Sequence, residues 1–218
     1  IRDRFTDSEF FEACRRLSQI VSDRNITVLL AKLYAEQLIA ARSNADNAHL
    51  PDTIPDLMLS YLDELSRDRA GENGDRAGLL AIRQDAKIVA WECVKSTYQA
   101  GVSSRQDVLA ALGEEEAEER LQMLENRLHL IQFVGSGKDK IRFSLEPLAE
   151  YLAALYLIED YGQDRSKWRN FLRTADTIEG APQRIESFLL AVRDCCLVQE
   201  TDSSVPPFVL EELNRRIE

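Results

Sequence analysis

Residues Ile141–Leu157 read IRFSLEPLAEYLAALYL, and this stretch decides the fold. Ile141 and Phe143 alternate with Arg142 and Ser144 at the two-residue period of a strand. Leu148, Leu152, Leu155 and Ile158 instead recur at the three- and four-residue spacing of a helix. Pro147 stands where the period changes, in a first turn whose N–H groups have no intrahelical partner anyway. The stretch predicts a short strand running into an apolar helix with one inward-leaning carboxylate, Glu150. A carboxylate near a helix start can accept backbone amides or pair with a base, which makes Glu150 a structural contact rather than a catalyst.

Immediately upstream, LIQFV at 130–134 and KIRFSL at 140–145 flank a loop beginning Gly135-Ser-Gly-Lys-Asp, which predicts a two-stranded hairpin. The loop does not read as a phosphate loop. One residue instead of four separates its glycines, and Asp139 follows Lys138 where a Ser or Thr would be needed for magnesium. No other segment supplies a phosphate loop, so this chain is expected to hydrolyse no nucleotide and to be no enzyme by itself. Before the hairpin lie three helical patterns: Leu79–Tyr98 ending near Gly101, Gln106–Leu112 capped by Ser103 or Ser104, and Glu114–His129. Three helices, a hairpin and a helix make a winged-helix order over residues 76–162.

Further upstream, residues 1–70 predict a helical domain. Thr6 or Asp7 can cap a first helix whose stripe is Phe10, Phe11, Cys14, Leu17, Ile20 and Val21. Ile26–Ala41 is apolar around most of its circumference, which predicts a central buried helix, and Ile54–Leu65 is a third. Ser66–Gly78, dense in charge and glycine, reads as a linker. Downstream, residues 163–218 predict helices at Ser166–Ala175, at Pro182–Val198 and after Pro206-Pro207, in the manner of a solenoid of stacked antiparallel helix pairs. The fold class is mainly α, with a winged helix between a helical domain and solenoid-like helices.

Charge restricts the partners. The 218 residues carry a net charge of −11, and 30% of them are charged. The segment Glu114–His129, which would be a recognition helix, holds six glutamates against Arg120 and Arg127. Its field repels phosphates and opposes DNA binding, although the wing cations Lys138, Lys140 and Arg142 keep a DNA-binding regulator as an alternative. A freestanding helical scaffold for protein partners is another. No apolar run approaches the roughly 20 residues a bilayer span requires, which predicts no membrane partner. The four cysteines have no metal-ligand spacing and read as buried, reduced thiols of a cytoplasmic protein, with no metal site. His49 lies in a polar stretch, His129 at a helix end, and Trp91 and Trp168 read as packing groups. The chain begins with Ile1 in place of Met, which suggests a piece of a longer polypeptide.

Phe143-Ser144 followed by Glu150-Tyr151-Leu152-Ala153-Ala154 resembles the F-S-H-x-x-x-x-E-Y-L-A-A pattern that closes the winged-helix domain of NACHT-type STAND signalling NTPases. Thr27–Ala35, TVLLAKLYA, with Leu50-Pro51 and the helix after it, is similar to the small helical domain preceding that winged helix. The resemblance covers about residues 6–162, and the helices over 163–218 resemble the start of a HEAT-like sensor array. It implies a regulatory fragment that lacks the NTPase core, with ATP or ADP and magnesium held by that core in the full-length protein. Its implied partners are the core of the same polypeptide, the sensor repeats and other copies of the protein on activation.

By the same resemblance, Val28, Arg142, Ser144 and Leu145 are the possible nucleotide-facing positions, while Phe143, Glu150, Tyr151 and Leu152 are latch packing. Two positions depart from the family. Leu145 stands where the family has a phosphate-contacting histidine, and Val28 lies near the place of a proline that packs on adenine. Leucine offers no hydrogen bond to an anion, so sensing would depend on shape, neighbouring backbone, Ser144 or Arg142.

Overall fold

The computed structural model describes residues 6–21, 28–43, 50–70, 76–113, 116–199 and 205–217. The side chains of residues 7, 28–29, 40–43, 67–70, 76–77 and 199 lie outside that description. The chain divides into two compact units, Ile1–Glu64 and Leu65–Glu218.

In the first unit, α1 (Asp7–Val21) begins with a reciprocal capping box. The Glu9 N–H donates to Thr6 Oγ1 at 3.4 Å, and the Thr6 N–H donates to Glu9 Oε2 at 2.8 Å. Only the lower end of the expected stripe is buried, at Leu17 and Val21. Phe11 is 70% exposed, Phe10 is exposed too, and Cys14 is exposed, contrary to the reading of all four thiols as buried. Helix α2 (Val28–Ser43) buries Leu30, Leu33 and Tyr34, but residues 35–39 are half-buried, so one face and not the whole circumference is covered. Helix α3 (Ile54–Ala70) packs Ile54, Leu57, Met58 and Leu62 inward, and Gln37 Nε2 of α2 donates to Glu64 Oε2 of α3 at 2.6 Å.

Helix α3 continues to Ala70 and α4 begins at Arg76. The expected linker over Ser66–Gly78 is therefore helical at both ends, because Arg and Ala at 69–70 and 76–77 are compatible with helix; residues 71–75 lie outside the described residues. Helix α4 (Arg76–Val94) ends before the turn in which the Gly101 N–H donates to the Cys93 carbonyl at 3.1 Å.

The expected two-stranded hairpin is part of a three-stranded antiparallel sheet. The third strand, β1 (Val102–Ser104), pairs with β3 (Lys140–Phe143), which also pairs with β2 (Ile131–Val134), in the order β1-β3-β2. Three residues are too short for a periodic signal, and Ser103 and Ser104 carry a helix-cap signature that masks the strand. Ser104 serves both roles: it ends β1, and its Oγ accepts the Gln106 N–H at 3.2 Å to cap α5 (Arg105–Leu112).

The expected helix over Glu114–His129 is shorter and changes type. Helix α6 (Ala117–Gln122) passes into a π-helical turn over Met123–Arg127. Glu114 and Glu115 lie outside the described residues. His129 takes φ 54°, and its N–H and Nδ1 both meet the Glu125 carbonyl, which closes the helix end.

Helix α7 (Glu146–Tyr161) follows β3 with Pro147 in its first turn, as the sequence predicts. Ten of its 16 residues are buried, which makes it the central helix of the second unit. It packs on α4, and Ala149, Ala153 and Ala154 of α7 and Ala86 and Ala90 of α4 are all fully buried. Helix α8 (Arg165–Thr177) is capped by Asp164. A 3-10 turn (Gln183–Ile185), α9 (Glu186–Gln199) and α10 (Phe208–Ile217) complete the chain. Tyr98 joins these helices to α4, its ring centroid lying 5.0 Å from Phe171 and 5.6 Å from Phe188. Trp168 is fully buried and donates from Nε1 to the Gly162 carbonyl at 2.9 Å. No described helix is long and apolar enough to cross a membrane.

Candidate functional site

The junction of β3 and α7 gathers most of the residues singled out in the sequence. Along β3, Ile141 and Phe143 are buried and Arg142 is exposed, as a period of two requires. Phe143 is thereby fixed beneath the sheet. The Ser144 N–H donates to the Leu130 carbonyl at 2.8 Å, so this amide is already used in holding the end of the sheet. Leu145, half-buried, is the residue before α7 and accepts the Ala149 N–H at its carbonyl. Arg142 donates from Nε and Nη2 to Gln132 Oε1 at 3.1 and 2.9 Å, across the β3–β2 register.

Arg142 and Ser144 offer a cation and a hydroxyl on an exposed surface, but Leu145 offers no donor and the Ser144 amide is spent. Val28 opens α2 in the first unit, and its side chain lies outside the described residues. The glycine loop is a turn: the Lys138 N–H donates to the Gly135 carbonyl at 3.2 Å, and the Arg105 N–H to the Asp139 carbonyl at 2.8 Å. A Cβ on Gly135, at φ 90°, would meet Asp139 Oδ1 at 2.6 Å. The loop therefore needs glycine for its own closure, with no phosphate invoked.

Of the residues expected to pack as a latch, Glu150 and Tyr151 meet α9, while Phe143 and Leu152 are buried. Ser187 Oγ donates to Glu150 Oε1 at 2.9 Å. Burial pushes the Glu150 carboxyl up from the usual range; the Ser187 hydroxyl and the Ala100 backbone pull it back, and nearby Glu146 raises it again. No arginine or lysine is among these causes. Tyr151 Oη donates to Asp194 Oδ2 at 2.6 Å, and Arg193 Nη2 lies 3.5 Å from the other oxygen of Asp194. The Cys195 thiol approaches the Tyr151 carbonyl at 3.9 Å, and Leu152 is fully buried.

Sequence reading passed over Asp194 and Ser187, because a polar residue on an amphipathic helix is indistinguishable from a solvated one until its neighbour is known. It also missed two charge pairs that pin α4. Lys87 Nζ lies 2.6 Å from both oxygens of Glu159 in α7, and the Arg120 guanidinium of α6 meets the Asp85 carboxylate while donating to the Leu112 carbonyl. The Cys93 thiol, buried against the Ile141 carbonyl at 3.7 Å, is pushed up to about 12 by burial. Such a thiol is a packing group and a poor nucleophile.

No curated protein and no solved structure gives a significant match to the chain. One family model does match, over the segment that supplies Ser187, Asp194 and Cys195 to the junction: residues 178–218, spanning α9 and α10, are similar to NACHT C-terminal helical domain 4.

Proposed function

We propose that the chain is a non-catalytic regulatory portion of a NACHT-like STAND NTPase. In this reading residues 1–70 are a helical domain, α4 to α7 with the sheet are a winged helix, and the helices from α8 onward begin the sensor array. The portion couples the nucleotide state of an NTPase core in the same polypeptide to the sensor side of a cytoplasmic signalling or defence protein. ATP or ADP with magnesium would be bound by the core, and other copies would join on activation.

The observation that carries this reading is the similarity of residues 178–218 to a NACHT helical domain, packed against the helix that bears Glu150-Tyr151-Leu152-Ala153-Ala154. Support also comes from the β1-β3-β2 order, with α5 and α6 between the first and second strands. The chemistry is conformational: a core that packs differently on this portion in its two nucleotide states biases a two-state equilibrium by the difference in packing energy.

Calorimetric titration of the pure chain with ADP and ATP, with phosphate release measured in parallel, tests it. Neither tight binding nor turnover is expected, and turnover that co-purifies with the chain refutes the reading. Sequencing the coding region upstream of Ile1 is the second test. A phosphate loop followed by an acidic magnesium motif is expected there, and a start codon directly before Ile1 counts against it.

A further inference from the structure

Lys138, Lys140 and Arg142 gather three positive charges within five residues of the hairpin, in and beside β3. In the second unit, cations such as Lys87, Lys95, Arg105, Arg120, Lys167 and Arg216 each lie within ion-pair distance of a carboxylate. Lys138, Lys140 and Arg142 have no described carboxylate at that distance, in a chain with 38 carboxylates and 27 lysines and arginines. All three are exposed. Lys138 is also held at φ 52°, a left-handed conformation that costs an ordinary residue about 1 kcal/mol.

The sheet places two of these charges beside an open edge. By register, Val102, Arg142 and Gln132 form one cross-strand row, and Ser104, Lys140 and Val134 the next. Val102, Ser104, Lys140, Arg142 and Gln132 are exposed, so these rows make up the outer face. Strand β1 is an edge strand. The Arg105 N–H to Asp139 carbonyl bond makes that pair a hydrogen-bonded one. Antiparallel alternation then makes Ser103–Ile141 the next bonded pair and turns the backbone groups of Val102 and the Ser104 N–H away from β3, toward the free edge. Alongside runs a cavity of about 690 Å³, lined by Val102, Ser104, Leu109 and Lys140 and also by the Arg105–Glu118 ion pair and Asp139, so the surplus positive charge lies on the outer face, at Lys140 and Arg142, and not in the cavity itself.

We propose that this edge binds an extended acidic peptide, which adds as a fourth strand beside β1 and sets its carboxylates against Lys140 and Arg142. Strands lie about 4.8 Å apart, so a strand beyond β1 is roughly 10 Å from β3. A glutamate reaching in and a lysine or arginine reaching out span that distance across the small side chains of Ser104 and Val102. Peptide residues opposite Val102 and Ser104 share the outer face, which asks for acidic residues at alternate positions. Half-exposed Val102 adds apolar contact. Charge complementarity favours an acidic polypeptide, and the site does not depend on the NACHT reading.

The test is fluorescence anisotropy of a labelled peptide of about eight residues alternating Glu and Thr, added to the full chain, with an alternating Lys and Thr peptide and a DNA duplex as competitors. Saturable binding of the acidic peptide that weakens with salt is expected. Lys140→Glu and Arg142→Glu should each weaken it about tenfold, the cost of one charge-assisted bond. Val102→Pro, which removes an edge N–H and leaves the β3 pairing intact, should also weaken it, with circular dichroism confirming the fold of each variant. Perturbed amide resonances at Val102 and Ser104 would accompany binding. Equal affinity for the basic peptide, tighter binding of the DNA at the same residues, or binding indifferent to Val102→Pro would each overturn the proposal.

Discussion

Replacing Tyr151 with Phe removes one hydroxyl from the junction of α7 and α9 and leaves the ring in place. Tyr151 is 5% exposed, so its apolar packing carries over unchanged. What is lost is a 2.6 Å bond to Asp194 Oδ2, a hydrogen bond to a charged acceptor worth about 1.5–3 kcal/mol net. The Asp194 side chain keeps 14% exposure and has Arg193 within 3.5 Å, so the carboxylate is not stranded in an apolar medium. The cost therefore falls at the lower end, about 1.5–2 kcal/mol. For a chain of this size that lowers the thermal midpoint by roughly 3–8 °C. Both tryptophans of the chain, Trp91 and Trp168, lie in the second unit, so intrinsic fluorescence in urea reports the unit that contains the junction. A double-mutant cycle of Tyr151→Phe with Asp194→Ala should give a coupling energy near 1 kcal/mol. A Tyr151→Phe cost below about 0.5 kcal/mol, or additive effects of the two substitutions, would refute the claim that this pair fastens α9 to α7.

Three further outcomes follow from the same geometry. Glu150 has a folded pKa raised by burial above its ordinary value of 4.5, so its stabilising contribution is fully present below that value and is lost as pH rises through the folded value. Urea midpoints of Glu150→Gln should thus gain on the wild type as pH rises from about 4.5 to 7.5, and a pH-independent difference contradicts the assignment. Of the four cysteines, only Cys14 should react with a thiol reagent in the native protein, while Cys93, Cys195 and Cys196 react on unfolding; mass spectrometry of the labelled chain reads this directly. Gly135→Ala should cost about 1 kcal/mol or more, since alanine meets both an unfavourable φ of 90° and the Asp139 carboxylate. Adding Asp139→Ala should recover the steric part alone, as thermal melts of the single and double variants will show.

The elements that were legible in the sequence are those whose periodic signal is long or whose punctuation is chemical. The change of period at Pro147, the glycines that close the hairpin and the cap before Gln106 each state a local rule that the fold obeys. Strand β1 was not legible, because three residues carry no period and its pairing with β3 is 36 to 40 residues away in sequence, from Ser104 with Lys140 to Val102 with Arg142. The stripe of α1 misled in a different way. Phe10, Phe11 and Cys14 share helical spacing with Leu17 and Val21, but periodicity says which face is apolar and not how far a neighbour extends along it. At the site, Phe143 and Leu152 were legible as apolar positions at the right spacing. The partners of Glu150 and Tyr151 were not, since Ser187 and Asp194 lie 37 and 43 residues away on another helix.

Helix α7 explains why so much depends on one segment. It meets α4 on one side and α9 on another, while the strand before it anchors the sheet, so a helix covered on several sides must be apolar around most of its circumference. An apolar helix of that kind has only side-chain interdigitation to define its rotation and register, and no directional groups. The polar groups along α7 supply what the apolar ones lack. Glu150 meets Ser187, Tyr151 meets Asp194 and Glu159 meets Lys87, and each geometry holds at one rotation of the helix only. Glu150 and Tyr151 are consecutive, about 100° apart around the axis, yet both reach α9. This fixes which side of α7 faces that helix, and Glu159, two turns on, fixes the side that faces α4. A displacement of the sheet cannot then be absorbed by rotation of α7 alone: it must carry α9 with it or break a part-buried hydrogen bond at the junction.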